Sequence, residues 1–163
     1  MKKFIVFMLS ILCICFAACA PAEPRLNAEY TYKKISFRKG EGLTLEELSS
    51  FMPAAVFLPD NKPIESISEF EDFLKENLDE YSFNRLSEEG IETVYLKPEI
   101  ISVSLSETEL IFKTENQTTS LPFTKEENRY LTDTEAEFYF SGGEFCTDLP
   151  LTDNFTIVYH YAL

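Results

Sequence analysis

The stretch EFYFSGGEFCTDLPLTDNFTIVYHYAL, residues 137–163, is the most informative about architecture, because apolar and polar residues alternate along it and two turn signals interrupt the alternation. Alternation with a period of two is typical of half-buried strands. The Gly142–Gly143 dipeptide predicts a two-residue hairpin turn that pairs Phe140 with Phe145. We therefore expect three antiparallel strands at the end of this sequence.

The second turn, within LTDNF at residues 151–155, leaves two registers open. A two-residue Asp153–Asn154 turn would send the apolar residues of its two strands to opposite faces. A three-residue loop with Asn154 in the left-handed conformation instead pairs Leu151 with Phe155 and keeps the apolar residues together. We choose the second register, because a buried face strongly specifies how strands pair. It places Phe145, Thr147 and Leu149 opposite Tyr161, Tyr159 and Ile157.

Five aromatic residues then share one face of the sheet. A face of this kind either binds a small apolar or amphipathic ligand or fills the core, and small barrels are usually filled by their own side chains. Both interpretations stay open for these residues, which are Phe138, Phe140, Phe145, Tyr159 and Tyr161.

The opposite face brings Cys146 next to His160, the only histidine of the chain. A thiol beside an imidazole can act as nucleophile and base, or it can bind Zn or Cu in a site that Asp148 or Glu137 completes. Polar residues also lie on sheet surfaces without any function, and no motif supplies an orienting third group or an oxyanion site. The sequence therefore assigns no catalytic residue and no cofactor, and a metal site at these four residues stays an alternative.

The residues upstream predict the rest of the architecture. YTYKKISFRKGEG at 30–42 alternates and indicates a first strand. Thr44 with Glu47, and Ser66 with Glu69, have the spacing of capping boxes and predict two short helices. Pro53 is expected to end the first helix, and Phe70 belongs to an apolar stripe along the second. Five further segments are typical of strands: IETVYLK (91–97), IISVSLS (100–106), ELIFKTE (109–115), TTSLPFT (118–124) and RYLTD (129–133). The predicted fold class is α+β and predominantly antiparallel, a small barrel or curved meander with two short helices after the first strand.

The carboxyl half, from residue 108 to residue 163, resembles that of calycin or lipocalin-like bacterial lipoproteins. The resemblance lies in consecutive short hairpins rather than in a motif, because the lipocalin Gly-x-Trp signature is missing from a chain without Trp. It implies a lipocalin-like or calycin-like barrel that holds a small apolar ligand.

The amino end has the parts of an export signal: two lysines, a 13-residue apolar run FIVFMLSILCICF, and small residues before Cys19. FAAC at 16–19 resembles the lipobox of bacterial lipoproteins, with Phe16 where most members have Leu. The resemblance implies that Cys19 is lipidated and becomes the mature amino terminus. An ordinary secretory signal that leaves Cys19 as a free thiol is the alternative. The predicted organisation is a signal peptide at 1–18, a tether at 19–29 and one β-rich domain at 30–163.

Charge excludes one class of function. The 28 acidic and 14 basic residues give a net charge of −14, which repels nucleic acid. We expect a membrane-anchored, extracytoplasmic lipoprotein whose domain binds a small apolar or amphipathic ligand. A ligand-free interaction or scaffold lipoprotein that contacts an envelope protein is the alternative.

Overall fold

Eight antiparallel strands pair side by side until the last meets the first, so that the sheet closes on itself. This arrangement is seen in a computed structural model that describes residues 23–51, 63–78, 82–87, 90–134 and 137–163. The strands of the closed sheet are β1 Glu29–Lys39, β4 Ser102–Leu105, β5 Glu109–Lys113, β6 Thr118–Glu126, β7 Arg129–Thr132, β8 Glu137–Ser141, β9 Glu144–Thr152 and β10 Phe155–Ala162. Their order around the sheet is β1-β10-β9-β8-β7-β6-β5-β4. The expected mostly antiparallel fold with two short helices is therefore confirmed.

The remaining two strands, β2 Ser82–Ser87 and β3 Gly90–Tyr95, form a separate two-stranded sheet. The prediction placed IETVYLK in one continuous meander, and this is wrong, because β3 pairs along its length with β2. Strand β2 was not predicted at all. Its apolar residues, Phe83 and Leu86, are three positions apart, which hides the period of two that identifies a strand.

The two helices are α1 Leu45–Phe51 and α2 Ile67–Asn77, and both begin at the predicted caps. The Thr44 hydroxyl accepts a hydrogen bond from the backbone N–H of Glu47 at 3.1 Å, and the Ser66 hydroxyl accepts one from Glu69 at 3.2 Å. The apolar stripe of α2 is buried at Phe70, as predicted. Pro53, which was expected to end the first helix, and most of the connection at 54–63 lie outside the described residues.

The register of the last three strands agrees with the prediction except at one turn. Gly142 and Gly143 have φ of 61° and 88°, as a two-residue hairpin of this kind requires, and Phe140 pairs with Phe145. Tyr159 and Tyr161 lie opposite Thr147 and Phe145, again as predicted.

The turn between β9 and β10 is the exception. Phe155 pairs with Thr152 rather than with Leu151, and the register then shifts between Phe155 and Thr156. A two-residue turn followed by a bulge thus achieves what the three-residue loop was expected to do, because the bulge returns the apolar residues to one face. Within the described residues, positive φ among non-glycine residues occurs only at Asn27 and Glu127, so the left-handed conformation predicted for Asn154 is wrong.

The two ends of the closed sheet differ. We call one the terminal end, because β1 begins there, β10 ends there, and residues 23–28 run along it, with the backbone N–H of Asn27 donating to Leu105 at 2.7 Å. The other is the helical end, where Phe70 of α2 packs against Phe155 with ring centroids 5.6 Å apart. In the part of the chain that the structure describes, the second helix therefore packs against the helical end of the interior.

The predicted export signal, the FAAC motif with Cys19, and residues 19–22 of the predicted tether lie outside the described residues. In the part of the chain that the structure describes, no helix has the length and apolar character needed to cross a bilayer.

Candidate functional site on the outer face of the closed sheet

A chain of hydrogen bonds joins three strands on the outer face, and His160 of β10 lies at its centre. The Ser36 hydroxyl of β1 is 2.7 Å from the imidazole Nε2. The Glu144 carboxylate of β9 is 2.8 Å from Nδ1 on the other side of the imidazole. Strands β1 and β9 are the two neighbours of β10, so strand pairing places Ser36 and Glu144 on either side of His160.

The carboxylate fixes which nitrogen carries the proton. Nδ1 lies against Oε2 of Glu144, and an ionised carboxylate only accepts hydrogen bonds, so Nδ1 carries the proton and donates it. Nε2 of a neutral imidazole is then an acceptor, and the Ser36 hydroxyl donates to it. Lys34 supports the charge of Glu144 with an ion pair of 3.5 Å. The side chain of His160 is only 15 % exposed, which limits competition from water.

Cys146 lies beside His160 as the sequence predicts, with strand pairing directly between them and Sγ 3.5 Å from Nδ1. Burial, together with the negative charges of Glu144 and Asp148, raises the pKa of the Cys146 thiol from 9.0 to about 11. The thiol is therefore protonated at neutral pH, and Nδ1 of His160 already forms a hydrogen bond to Glu144. This geometry disfavours a nucleophilic Cys146.

The two carboxylates proposed to complete a metal site each have an arginine instead. Asp148 binds Arg38 of β1 through both oxygens, at 2.6 and 3.2 Å, and the carboxylate of Glu137 binds Arg129 of β7. Among the residues that the structure describes, no group of three or more His, Cys, Asp and Glu side chains is arranged to hold a metal ion.

Arg38 contacts Tyr139 as well as the carboxylate of Asp148. Its guanidinium also donates to the hydroxyl of Tyr139 at 2.8 Å and lies 5.9 Å from the centre of that ring. The hydrogen bond to Asp148 raises the pKa of Arg38, and burial raises the pKa of Tyr139. Arg38, Tyr139 and Asp148 therefore form a second polar cluster on the same outer face.

The five aromatic residues predicted to line a ligand site all lie in the interior, and each is at most 6 % exposed. They pack against each other or against neighbouring rings, as when Phe145 meets Tyr30 at 5.0 Å and Phe140 at 5.1 Å. Phe138 stacks on Phe112 at 5.2 Å. These contacts favour the interpretation that the rings fill the core.

Two of the five rings also reach a surface cleft of about 350 Å³. Tyr159 and Tyr161 form part of its wall, and the segment 97–100 forms another part. The hydroxyl of Tyr159 donates to the backbone carbonyl of Leu96 at 2.7 Å and so holds this segment against the sheet. Tyr95, which is 64 % exposed, lies at the edge of the cleft.

Sequence reasoning missed Ser36 and Glu144 as partners of His160. Glu144 follows from the predicted hairpin, because it is two residues from Cys146 and therefore on the same outer face. Ser36 required the pairing of the first strand with the last, in which Ser36 lies opposite Val158, two residues before His160. Nothing local in the sequence indicates that long-range pairing.

The architecture is thus a closed antiparallel sheet with two short helices and a polar outer face centred on one histidine. No protein-family model, no curated protein and no solved structure gives a significant match to this chain.

Proposed function

We propose that this chain is a lipid-anchored, extracytoplasmic lipoprotein whose closed sheet is a small lipocalin-like or calycin-like barrel with a filled interior. Such a barrel acts as a scaffold and presents its outer surface to a protein of the cell envelope. The observation that carries this choice is the packing of the interior. A ligand held inside would have to displace Phe138, Phe140 and Phe145, which are buried among other aromatic rings.

The position of the amino-terminal segment supports the anchor. Glu23 is four residues from Cys19, a span of at most about 14 Å in an extended chain. The terminal end that Glu23 adjoins also carries two exposed leucines, Leu26 at 51 % and Leu163 at 57 %. Both leucines lie at the end that a lipid on Cys19 would hold against the membrane.

The anchor is tested by substituting the acceptor thiol. The full chain is produced in a bacterial host, the membranes are separated, and the intact mass of the protein is measured. Wild type should sit in the membrane fraction with the added mass of a diacylglyceryl group, whereas Cys19→Ser should carry no lipid. Cys146→Ser is the matched control and should be lipidated like wild type. A wild-type chain with a free, unmodified Cys19 would refute the proposal.

The envelope partner is tested in the native membrane. A photo-crosslinking residue placed at Tyr95, an exposed position at the edge of the surface cleft, should yield one defined adduct with an envelope protein. The same residue at Leu26 is the control, because that side is expected to face the bilayer. Equal capture at both positions, or none at either, would count against a specific protein partner.

A second candidate function rests on the surface cleft. A small amphipathic ligand could lie against Tyr159 and Tyr161 without disturbing the packed rings, because both already form the cleft wall. Native mass spectrometry of the detergent-solubilised protein would reveal a bound small molecule. A bulky Leu149→Trp substitution in the same wall should abolish that adduct, and its persistence would place the ligand elsewhere.

A further inference from the structure

We propose that Ser36 is a nucleophile, that His160 is its general base, and that the site accepts acyl groups from carboxylic esters. This goes beyond the proposed scaffold function and is independent of the lipid anchor. It rests on the arrangement of three side chains from three neighbouring strands.

The order of the hydrogen bonds is the first argument. An activated serine needs a base within hydrogen-bond reach and a third group that orients the base. Here the Ser36 hydroxyl is 2.7 Å from Nε2, and Nδ1 is 2.8 Å from the Glu144 carboxylate. The carboxylate and the hydroxyl therefore occupy opposite nitrogens of His160, as proton transfer from serine to imidazole requires. Glu144 is a positioning residue, because it acts through His160.

The ion pair beside His160 is the second argument. Strand alternation places Lys34 on the same outer face as Ser36, about 7 Å away along the strand. Lys34 pairs with the Glu144 carboxylate at 3.5 Å and so helps to hold the group that orients His160. Arg38, on the other side of Ser36, is bound to Asp148, so each of the two cations is matched by a carboxylate. The substrate class therefore follows from the acyl-transfer chemistry of a serine and an imidazole.

The reaction balances with groups that are present and an ester from outside. The Ser36 Oγ forms a bond to the carbonyl carbon while its proton passes to Nε2 of His160. The ester C–O bond then breaks, and the leaving alcohol takes that proton from Nε2. Water attacks the acylated Ser36 in the same way, which releases the carboxylic acid and restores the hydroxyl.

The test uses a fluorophosphonate probe on the full-length protein. The Ser36 Oγ forms a bond to phosphorus, the P–F bond breaks, fluoride leaves, and the proton passes to Nε2. We expect a covalent adduct that peptide mass spectrometry locates at Ser36. Removing a general base typically costs 10²-fold or more, so His160→Gln should slow labelling by about 100-fold. Ser36→Ala should abolish labelling.

Ser120 provides the matched control. Its hydroxyl donates to the Glu109 carboxylate at 2.7 Å but has no imidazole partner, so Ser120→Ala should leave labelling unchanged. Thermal unfolding of every variant shows that it is folded before its rate is compared. An adduct at another residue, no adduct in folded wild type, or equal labelling of His160→Gln would overturn the proposal.

Rescue by the conservative variant separates activation from a merely structural role. The Glu144 carboxylate accepts the hydrogen bond from Nδ1 of His160, and Glu144→Gln removes that negative charge. Glu144→Gln should therefore slow labelling of Ser36, whereas Glu144→Asp, which keeps a carboxylate, should recover part of the rate. Equal labelling of Glu144→Gln and wild type would remove Glu144 from the mechanism.

Discussion

The inner and outer faces of β1, β9 and β10 share one backbone but differ in what their side chains do. Phe145 points inward and is fully buried among aromatic rings, while its neighbour Cys146 points outward beside His160. Inner positions contribute packing, and outer positions contribute an ordered set of hydrogen bonds and ion pairs. Because side chains alternate along a strand, each face can be altered while the other is left intact. The comparison predicts large stability losses from inner substitutions and small ones from outer substitutions.

The largest expected effect follows from Phe145→Ala. Phe145 is 0 % exposed and its ring meets three others, those of Tyr30, Tyr130 and Phe140, at 5.0 to 5.5 Å. Removing a buried phenyl ring loses its transfer free energy and leaves a cavity, so the free energy of unfolding should fall by about 3–5 kcal/mol. Urea unfolding followed by far-ultraviolet circular dichroism measures this. Tyr95→Ala is the control, because Tyr95 is largely exposed, and it should change stability by less than about 0.5 kcal/mol.

The next effect concerns the thiol on the outer face. With a pKa of about 11 rather than the ordinary 9.0, Cys146 has about 100-fold less thiolate at neutral pH than an exposed cysteine. Alkylation by iodoacetamide at pH 7.5 should therefore be at least that much slower in the folded protein than in urea. The alkylation rate is measured on a variant in which Cys13, Cys15 and Cys19 are replaced by serine, so that Cys146 is the only thiol. Equal rates in both states would mean that Cys146 is not shielded.

The raised pKa of Cys146 determines in which direction the stability of the folded protein changes with pH. Below pH 9 the thiol is protonated in the folded and the unfolded chain, so it contributes no pH dependence there. Between pH 9 and about 11 the unfolded chain loses this proton while the folded chain keeps it, so stability falls as the pH rises. Burial raises the pKa of Tyr159 and Tyr161 as well, and these groups add to the loss at higher pH. Cys146→Ala should make the melting temperature less sensitive to pH between 9 and 11.

The inner face could be predicted from the sequence because local rules determine it. The Gly142–Gly143 turn fixes one register, and the requirement that apolar residues share a face fixes the next. That requirement also explains why the pairing of Tyr161 with Phe145 was predicted correctly although the intervening turn was not. A two-residue turn followed by a bulge and a three-residue loop both bury the same apolar residues. The alternation of apolar and polar residues therefore cannot distinguish the two turns.

The outer face could be predicted only where it depends on a hairpin. Cys146 and His160 belong to consecutive strands, and their proximity follows from the turn between them. Ser36 and Arg38 come from β1, more than a hundred residues earlier, and their positions depend on how the sheet closes. Both distant residues change which groups are available on the outer face. Ser36 forms a hydrogen bond to Nε2 of His160, and Arg38 forms hydrogen bonds to the carboxylate of Asp148. The sequence therefore predicted that Cys146 lies beside His160 but did not identify Ser36 and Glu144, which form the hydrogen bonds to the imidazole.

A smaller effect is expected from Arg38→Ala. The substitution removes two hydrogen bonds to Asp148 and one to Tyr139, all at an exposed position. Exposed ion pairs contribute little singly, and a bidentate geometry adds to that, so the loss should be about 1 kcal/mol. It should shrink in 1 M salt, which screens exposed charges. Lys97→Ala, which removes an exposed ion pair with Glu115, is the control and should cost less. A loss from Arg38→Ala that salt leaves unchanged would point to packing instead of charge.

The smallest effect is expected from Ser36→Ala. The substitution removes one hydrogen bond to His160 on a partly exposed face, and the net contribution of such a bond is about 0.5–1.5 kcal/mol. Water can replace the hydroxyl at Nε2, so we expect a value near or below the lower limit, measured by urea unfolding beside Phe145→Ala. Retention of stability together with complete loss of fluorophosphonate labelling would assign Ser36 to chemistry and not to folding. A loss close to that of Phe145→Ala would instead make the Ser36–His160 hydrogen bond part of the structural core, and the division between the two faces would fail.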